Sequence, residues 1–308
     1  MPGGAAESCL NRNLQVLTDY HLHLRSDDVG ASAGEHFTSA NAERYRAAAS
    51  ERGIAELGVS EHVYRFAQAL DVWRHPFWER YAHDDLDEYC EFVRERTDLR
   101  LGIEADFVPG AEDRIANLLE ARDFDYVVGS VHFIREGAVD MDEYGAWTSG
   151  RSAEELWRRY FQTVGESARI GLFDVLAHPD LVKYWCPARA GGRGPAGRRP
   201  EGDLRRYYEP AIEGIAESRV AVEVSTAGLR KPAGEIYPAP AFLEMCLEAG
   251  AAVALSSDAH RPQEVGADYD QALELLERLG VGELCVFQRR ERRLEPIGAD
   301  ALSAPEAR

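Results

Sequence analysis

Two histidines separated by one residue, His21 and His23, follow the apolar run at 14–17. On a strand, residues i and i+2 project from one face with Cα atoms roughly 6.5–7 Å apart, so both imidazoles can reach one cation. The pattern recurs downstream. His62 follows the run 54–59, Glu104 the run 99–103, His132 the run 124–131, His178 the run 173–177, and Asp258 with His260 the run 251–255. Six of the nine histidines therefore stand at the ends of apolar runs; only His36, His75 and His83 do not. Each residue alone has a structural alternative. Glu104 could cap the next helix, Asp258 could be an N-cap, His178 before Pro179 could shape a turn, and His62 could pair with Glu61. Together they form a donor set of imidazoles and carboxylates, which suits Zn, Mn or Fe better than Ca or Mg. The donors exceed the needs of one ion, and a carboxylate such as Glu104 can bridge two.

The elements that must position these groups are legible from patterning. Seven strand-like runs end in polar or ionisable residues, and helical patterns at 42–52, 85–97, 110–121, 152–170, 204–218, 240–249 and 269–279 alternate with them. Ser152 and Glu155 form a capping box, while Gly53, Gly171 and Gly250 stop helices. Strands alternating with helices argue for a parallel sheet, and their Val/Leu/Ile/Ala content argues for burial on both faces. In a parallel barrel every strand C-terminus reaches one mouth, where a shared site can form. A doubly wound open sheet is the alternative, but its polar ends would spread along an edge. Residues 63–83 read as an irregular aromatic loop, either a wall over a site or a packed surface excursion. A last strand is expected at 284–287. The Gly-, Pro- and Arg-rich stretch 187–202 is expected to be a mobile surface loop, and 299–308 a disordered tail after a single domain spanning 1–298.

Composition narrows the function classes. The net charge of −19 argues against a sequence-independent nucleic-acid binder. An anionic substrate would have to be drawn by a local site. The five cysteines are odd in number and lack a CxxC spacing, as expected of free thiols in a reducing cytosol. Neither a signal-like N-terminus nor an apolar stretch of membrane-span length occurs, so a cytoplasmic protein is expected. The chain has only two lysines, Lys183 and Lys231, and both lie beside motifs of interest.

The motifs His21-x-His23, Glu61-His62, Glu104, His132, His178 and Asp258-x-His260 resemble those of the polymerase-and-histidinol-phosphatase (PHP) superfamily over about 19–287. The segments Ala177-His178-Pro179-Asp180-Leu181-Val182-Lys183 and Gly228-Leu229-Arg230-Lys231-Pro232 resemble its histidinol-phosphatase branch in particular. The resemblance implies an α/β fold, a distorted (β/α)7 TIM-like barrel with the metals at the strand C-terminal mouth. It implies two or three divalent ions. His21, His23, Glu104 and Asp258 would hold one, and Glu104 would bridge to a second held by His132 and His178. His62 and His260 would hold a third with a ligand from the loop after His23. Many relatives have a Cys and a His in that loop; here Asp27 or Asp28 would substitute.

The implied reaction is hydrolysis of a small phosphate monoester, L-histidinol phosphate in histidine biosynthesis, with Glu104, Asp258 and His260 nearest the chemistry. Metal Lewis acidity makes a side-chain nucleophile unnecessary. Arg230 is the foremost candidate to contact phosphate, ahead of Lys231 and Lys183. Glu61 or Asp106 could receive the substrate amine. Other readings are a different sugar or nucleotide phosphate, a phosphodiester, an amidohydrolase-type enzyme, or a metal-binding regulator. The amidohydrolase type would need a bridging Lys, whereas the middle strand end here carries Glu104. Oligomeric state is not readable from the sequence.

Overall fold

The computed structural model describes residues 16–28, 30–186 and 197–298. Residues 14–15 of the first apolar run, most of the expected mobile loop (187–196) and the expected tail (299–308) lie outside the described residues. Seven parallel strands form one sheet: β1 Leu17–Asp19, β2 Ile54–His62, β3 Arg100–Asp106, β4 Tyr126–Ser130, β5 Val175–Leu176, β6 Ala221–Ser225 and β7 Val253–Ser256. Each is followed by a helix: α1 Ser39–Glu51, α2 Leu86–Arg96, α3 Glu112–Glu120, α4 Ala153–Arg169, α5 Arg205–Glu217, α6 Pro240–Glu248 and α7 Tyr269–Arg278. The sheet curls until its edges meet. Leu22, just after β1, pairs with Ala259, just after β7, and the His23 N–H donates to the Ala259 carbonyl at 2.8 Å. Asp19 staples the same seam by accepting from the N–H groups of Ser257 and Gly266. The result is a nearly closed (β/α)7 barrel.

Local sequence explains the boundaries. Helix α1 starts three residues before the apolar pattern does because the Thr38 hydroxyl accepts the Asn41 N–H as an N-cap. The capping box at α4 joins Ser152 and Glu155 in both directions. Residues 63–83 are not irregular throughout. They form 3₁₀ turns at Val63–Arg65 and Ala67–Asp71 and a short helix at Pro76–Tyr81, whose N-cap is His75. The run at 284–287 does not join the barrel. It lies in β8 Glu283–Gln288, which pairs antiparallel with β9 Glu291–Pro296.

That hairpin helps fill the floor of the barrel. Phe287 from β8 packs edge-on against Tyr20 at 5.6 Å between ring centroids, and Tyr20 packs against Tyr126 at 5.0 Å. Room for the Tyr126 ring comes from Gly58 on β2 and Gly102 on β3, where any Cβ would overlap it. Gly102→Ala should therefore cost about 1–3 kcal/mol by overpacking. Thermal or denaturant unfolding should show this, and the double variant Gly102→Ala/Tyr126→Leu should be less destabilised than the sum of its singles. Additive losses would mean the two sites do not compete for space.

Above this floor the two-residue strand period lifts polar groups into the barrel. Glu104 follows Gly102 by two residues, and Asp106 comes two later. In register, His62 lies opposite Glu104, and Glu104 opposite Val128. Helices cover the outer face, whose core includes Ile103, Val127, Leu176, Val222 and Leu255. No described helix is long and apolar enough to cross a membrane.

Candidate metal centre

The six strand-end histidines converge around Glu104 in the upper barrel. His21, His23 and Glu104 are at most 1% exposed, and His62, His132, His178 and Asp258 are also buried. The two oxygens of Glu104 divide the cluster. Oε2 lies 3.4 Å from His21 Nε2 and 3.7 Å from His23 Nε2, and it also contacts His62 Nδ1. Oε1 lies 3.2 Å from His178 Nε2 and 3.5 Å from His132 Nε2. One carboxylate thus serves two groups of imidazoles.

Asp258 completes the first group. Its Oδ1 is 3.4 Å from His23 Nε2 and 3.8 Å from His21 Nε2. His21, His23 and Asp258 offer three donors within 4.8 Å of one another, and His21, Glu104 and His178 form a second such group. The group His23, His62 and His260 offers three nitrogens within 4.8 Å of one another, with the His23 and His62 rings stacked at 4.1 Å. Asp27 reaches this side, its Oδ2 lying 3.3 Å from His260 Nε2. Its other oxygen accepts from the buried Arg65 guanidinium at 2.6 Å. Asp28, itself exposed, instead accepts from the Ser26 hydroxyl and makes no ion pair with a histidine among the described residues. The geometry favours Asp27 of the two.

The donor set fits metal ions. His21 Nε2 and both ring nitrogens of His23 are buried without a hydrogen-bond partner. Buried polar groups in this state are costly unless a ligand satisfies them. His178 and Asp258 carry a further mark: both have positive φ, 25° and 48°. Non-glycine residues adopt that region at an energetic cost that is commonly held at functional sites.

Electrostatics tells the same story. Burial opposes charge on His21, but Glu223, Glu104 and Asp258 raise it well above the ordinary imidazole range. Burial likewise opposes charge on His132, yet Asp106 and Glu104 lift it to about 10. His23 moves the other way, pushed well below its usual value by burial and by its neighbours His62 and His260. Glu104 stays ionised: burial works against it, but His62, His21 and His132 hold it well below the usual carboxylate range.

Behind the cluster stand groups that orient it. Asp106 holds His132 Nδ1 at 2.8 Å, leaving Nε2 to face Glu104. Glu223 holds His21 Nδ1 at 2.8 Å and also accepts from the His178 N–H and the Ser256 hydroxyl. Such carboxylates fix the ring orientation and basicity of a ligating histidine. Glu223→Gln should keep the volume but weaken these contacts, lowering metal affinity roughly 10–100-fold. Metal titration of the stripped protein reads this directly; an unchanged affinity would give Glu223 a packing role only.

A cavity opens over the cluster. It is lined by Asp27, His62, His132, His178, Asp258 and His260 below, with Lys231 and Asp140 at its sides. Tyr64, Phe77, Tyr81, Phe133, Tyr184 and Tyr237 form its walls. The 63–83 segment thus supplies part of the wall. Of the three expected phosphate cations, Lys231 alone lines the cavity. Arg230 turns back to donate to the Ser257 carbonyl at 2.6 Å, bracing the backbone next to Asp258. Lys183 is buried between Asp180, Glu235 and the Ile236 carbonyl. Glu104, not a lysine, stands between the two groups of imidazoles. The two acids expected at the amine have other partners: Asp106 takes His132, and Glu61 accepts the N–H groups of Leu24 and Arg25. Sequence reasoning missed Glu223, Arg65 and Asp140. A signal existed for Glu223: a carboxylate within the apolar run Ala221-Val222-Glu223-Val224 must find a buried partner.

Known proteins resemble this chain in sequence and in fold. The PHP domain family model matches residues 21–227, about two thirds of the chain. A protein of Deinococcus radiodurans named Probable histidinol-phosphatase is 33% identical over 287 residues, covering 91% of this chain and 99% of that one. The Histidinol-phosphatase of Bacillus subtilis is 26% identical over 210 residues, covering 64% of this chain and 75% of its own length. The fold is similar to the crystal structure of histidinol phosphate phosphatase from Lactococcus lactis, solved with zinc, L-histidinol and phosphate. That likeness has a TM-score of 0.68 at 18% identity and covers 90% of this chain and 98% of the other. A buried imidazole–carboxylate cluster at the mouth of a seven-unit barrel, the motifs that build it and these matches lead to one conclusion: the chain belongs to the PHP family.

Proposed function

We propose that this protein is a metal-dependent phosphomonoesterase that converts L-histidinol phosphate to L-histidinol and inorganic phosphate, a step of histidine biosynthesis. The observation that carries the reading is Glu104, whose two oxygens serve separate imidazole groups beneath one cavity. Relatives that bear the name histidinol-phosphatase support the choice of alcohol.

Two or three divalent ions, drawn from Zn, Mn and Fe, would be held by His21, His23, Glu104 and Asp258, by Glu104, His132 and His178, and by His62, His260 and Asp27. Bound there, they supply Lewis acidity toward the phosphoryl oxygens and make water acidic enough to react near neutral pH. The chain supplies the rest. Lys231 offers a cation to the phosphate; burial opposes its charge, but Asp258 and other nearby acidic groups raise it further above neutrality. Asp258 lines the cavity and stays ionised because, against the cost of burial, His21, His23 and His260 hold its carboxyl well below the usual range. Ionised there, it can orient the attacking water by accepting its hydrogen bond, although so low a pKa makes it a weak base; His260, Asp258 or water would return a proton to the leaving alkoxide. The aromatic walls exclude bulk water and strengthen these interactions.

Among the described residues, Cys90, Cys186, Cys246 and Cys285 are free thiols. We place the enzyme in a reducing cytosol on that basis. The functional test is release of inorganic phosphate from a panel of small monoesters. L-histidinol phosphate should be the best substrate; clear preference for another ester would overturn the substrate assignment while keeping the reaction class.

A further inference from the structure

Three carboxylates line the cavity: Asp27, Asp140 and Asp258. Two are committed to the cluster, Asp258 to His21 and His23, and Asp27 to His260. Asp140 is different. It makes no ion pair within 4 Å among the described residues, although His132, His178 and Lys231 act on it at longer range against the cost of its burial, and its Oδ1 is buried without a hydrogen-bond partner. An unpaired buried acceptor in a ligand cavity is a group waiting for a donor.

Its position is fixed. The preceding residue, Val139, donates its N–H to the His132 carbonyl at 2.9 Å and accepts the Trp147 indole N–H at 2.8 Å. The short ribbon of Phe133–Ile134 with Gly137–Ala138 brings the chain back to that point. Asp140 is thereby tied to the backbone of His132, beside the cluster but outside it.

The charge pattern decides what Asp140 receives. A phosphate dianion is drawn to the metal cluster and Lys231, and a carboxylate with no metal partner would repel it. The opposite charge belongs to the leaving alcohol. The aromatic walls favour the same occupant, since π faces attract organic cations and stack on planar rings.

We infer that Asp140 binds the cationic end of the leaving alcohol and so selects cationic amino-alcohol phosphates over neutral phosphate monoesters. This rests on the phosphatase reading above and adds a specificity residue to it. Losing one charge-assisted hydrogen bond in such a site costs roughly 10- to 100-fold in binding.

The test is Asp140→Asn, with Asp140→Ser as a second variant should the amide disturb folding. Selectivity is the ratio of kcat/KM for L-histidinol phosphate to that for p-nitrophenyl phosphate. That ratio should fall roughly 10- to 100-fold, chiefly through KM for the cationic ester. Calorimetric binding of L-histidinol should weaken by a similar factor, and metal content should match wild type. An unchanged ratio, equal loss on both esters, or loss of metal would overturn the inference and leave the phosphatase reading standing. Wild-type protein that cleaves p-nitrophenyl phosphate but shows no preference for L-histidinol phosphate would overturn the substrate reading and the inference with it.

Discussion

Glu104→Gln is expected to lower kcat by about 1,000-fold or more and to reduce the metal bound by the purified protein. The substitution keeps the side chain's size and removes its charge. In the native protein Oε1 faces His132 and His178 while Oε2 faces His21, His23 and His62. A neutral amide can present only one acceptor oxygen, so one imidazole group loses its anionic partner. Metal ions contribute several kcal/mol of transition-state charge stabilisation, and each 1.36 kcal/mol is tenfold in rate. Elemental analysis and phosphate release on the same preparation check both halves. A variant with wild-type turnover at reduced metal content would remove Glu104 from its bridging role.

Stripping the metals should have the second large effect, on stability as well as activity. A ligand present at 1,000 times its Kd stabilises the folded state by about 4 kcal/mol. For a domain of this size that corresponds to a fall in Tm of roughly 8–16 °C on chelation. The gap should depend on pH. In the stripped protein His132 has a folded-state pKa of about 10, raised by Asp106 and Glu104 against burial. Its favourable contribution is therefore complete below the unfolded imidazole pKa of about 6.5 and is lost as pH rises through about 10. The loaded protein binds metal through deprotonated imidazoles, so its stabilisation grows as proton competition falls. Both signs widen the gap with rising pH. Melting curves with and without chelator at pH 6, 8 and 9.5 should show the difference increasing; a gap that narrows would mean that His132 does not exchange a proton for metal.

The barrel and most of the cluster are legible in the sequence because two rules reinforce each other. Apolar runs separated by helical patterns require parallel strands, and parallel strands send their C-terminal residues to one place. His21, His23, His62, Glu104, His132, His178, Asp258 and His260 all stand at such ends. The hairpin at 283–296 is less legible because Leu284–Phe287 looks like any buried strand; only its antiparallel partner, rich in Arg and Glu, distinguishes it. Loop chemistry is harder still. Arg230 and Lys231 are adjacent, and the turn geometry that points one to Ser257 and the other into the cavity leaves no mark in residue type. Asp27 is separated from Asp28 by its contact with Arg65, a residue 38 positions later in the chain. Asp140 lies in a loop after His132, with no periodicity to announce it. Glu223 is the instructive case: a carboxylate between two valines on a buried strand demands a partner, and residue order alone carries that demand.

We propose that one Glu104-centred cluster is what makes this barrel a metal-dependent phosphatase. The most direct measurement is phosphate release from L-histidinol phosphate by protein that has been stripped, assayed, and titrated back with Zn, Mn or Fe while bound metal is counted. Activity should be absent in the stripped protein and should rise with metal to a plateau at two or three ions per chain. Full turnover in the stripped protein, or a fully loaded protein that releases no phosphate from any small monoester, would contradict that role for the cluster.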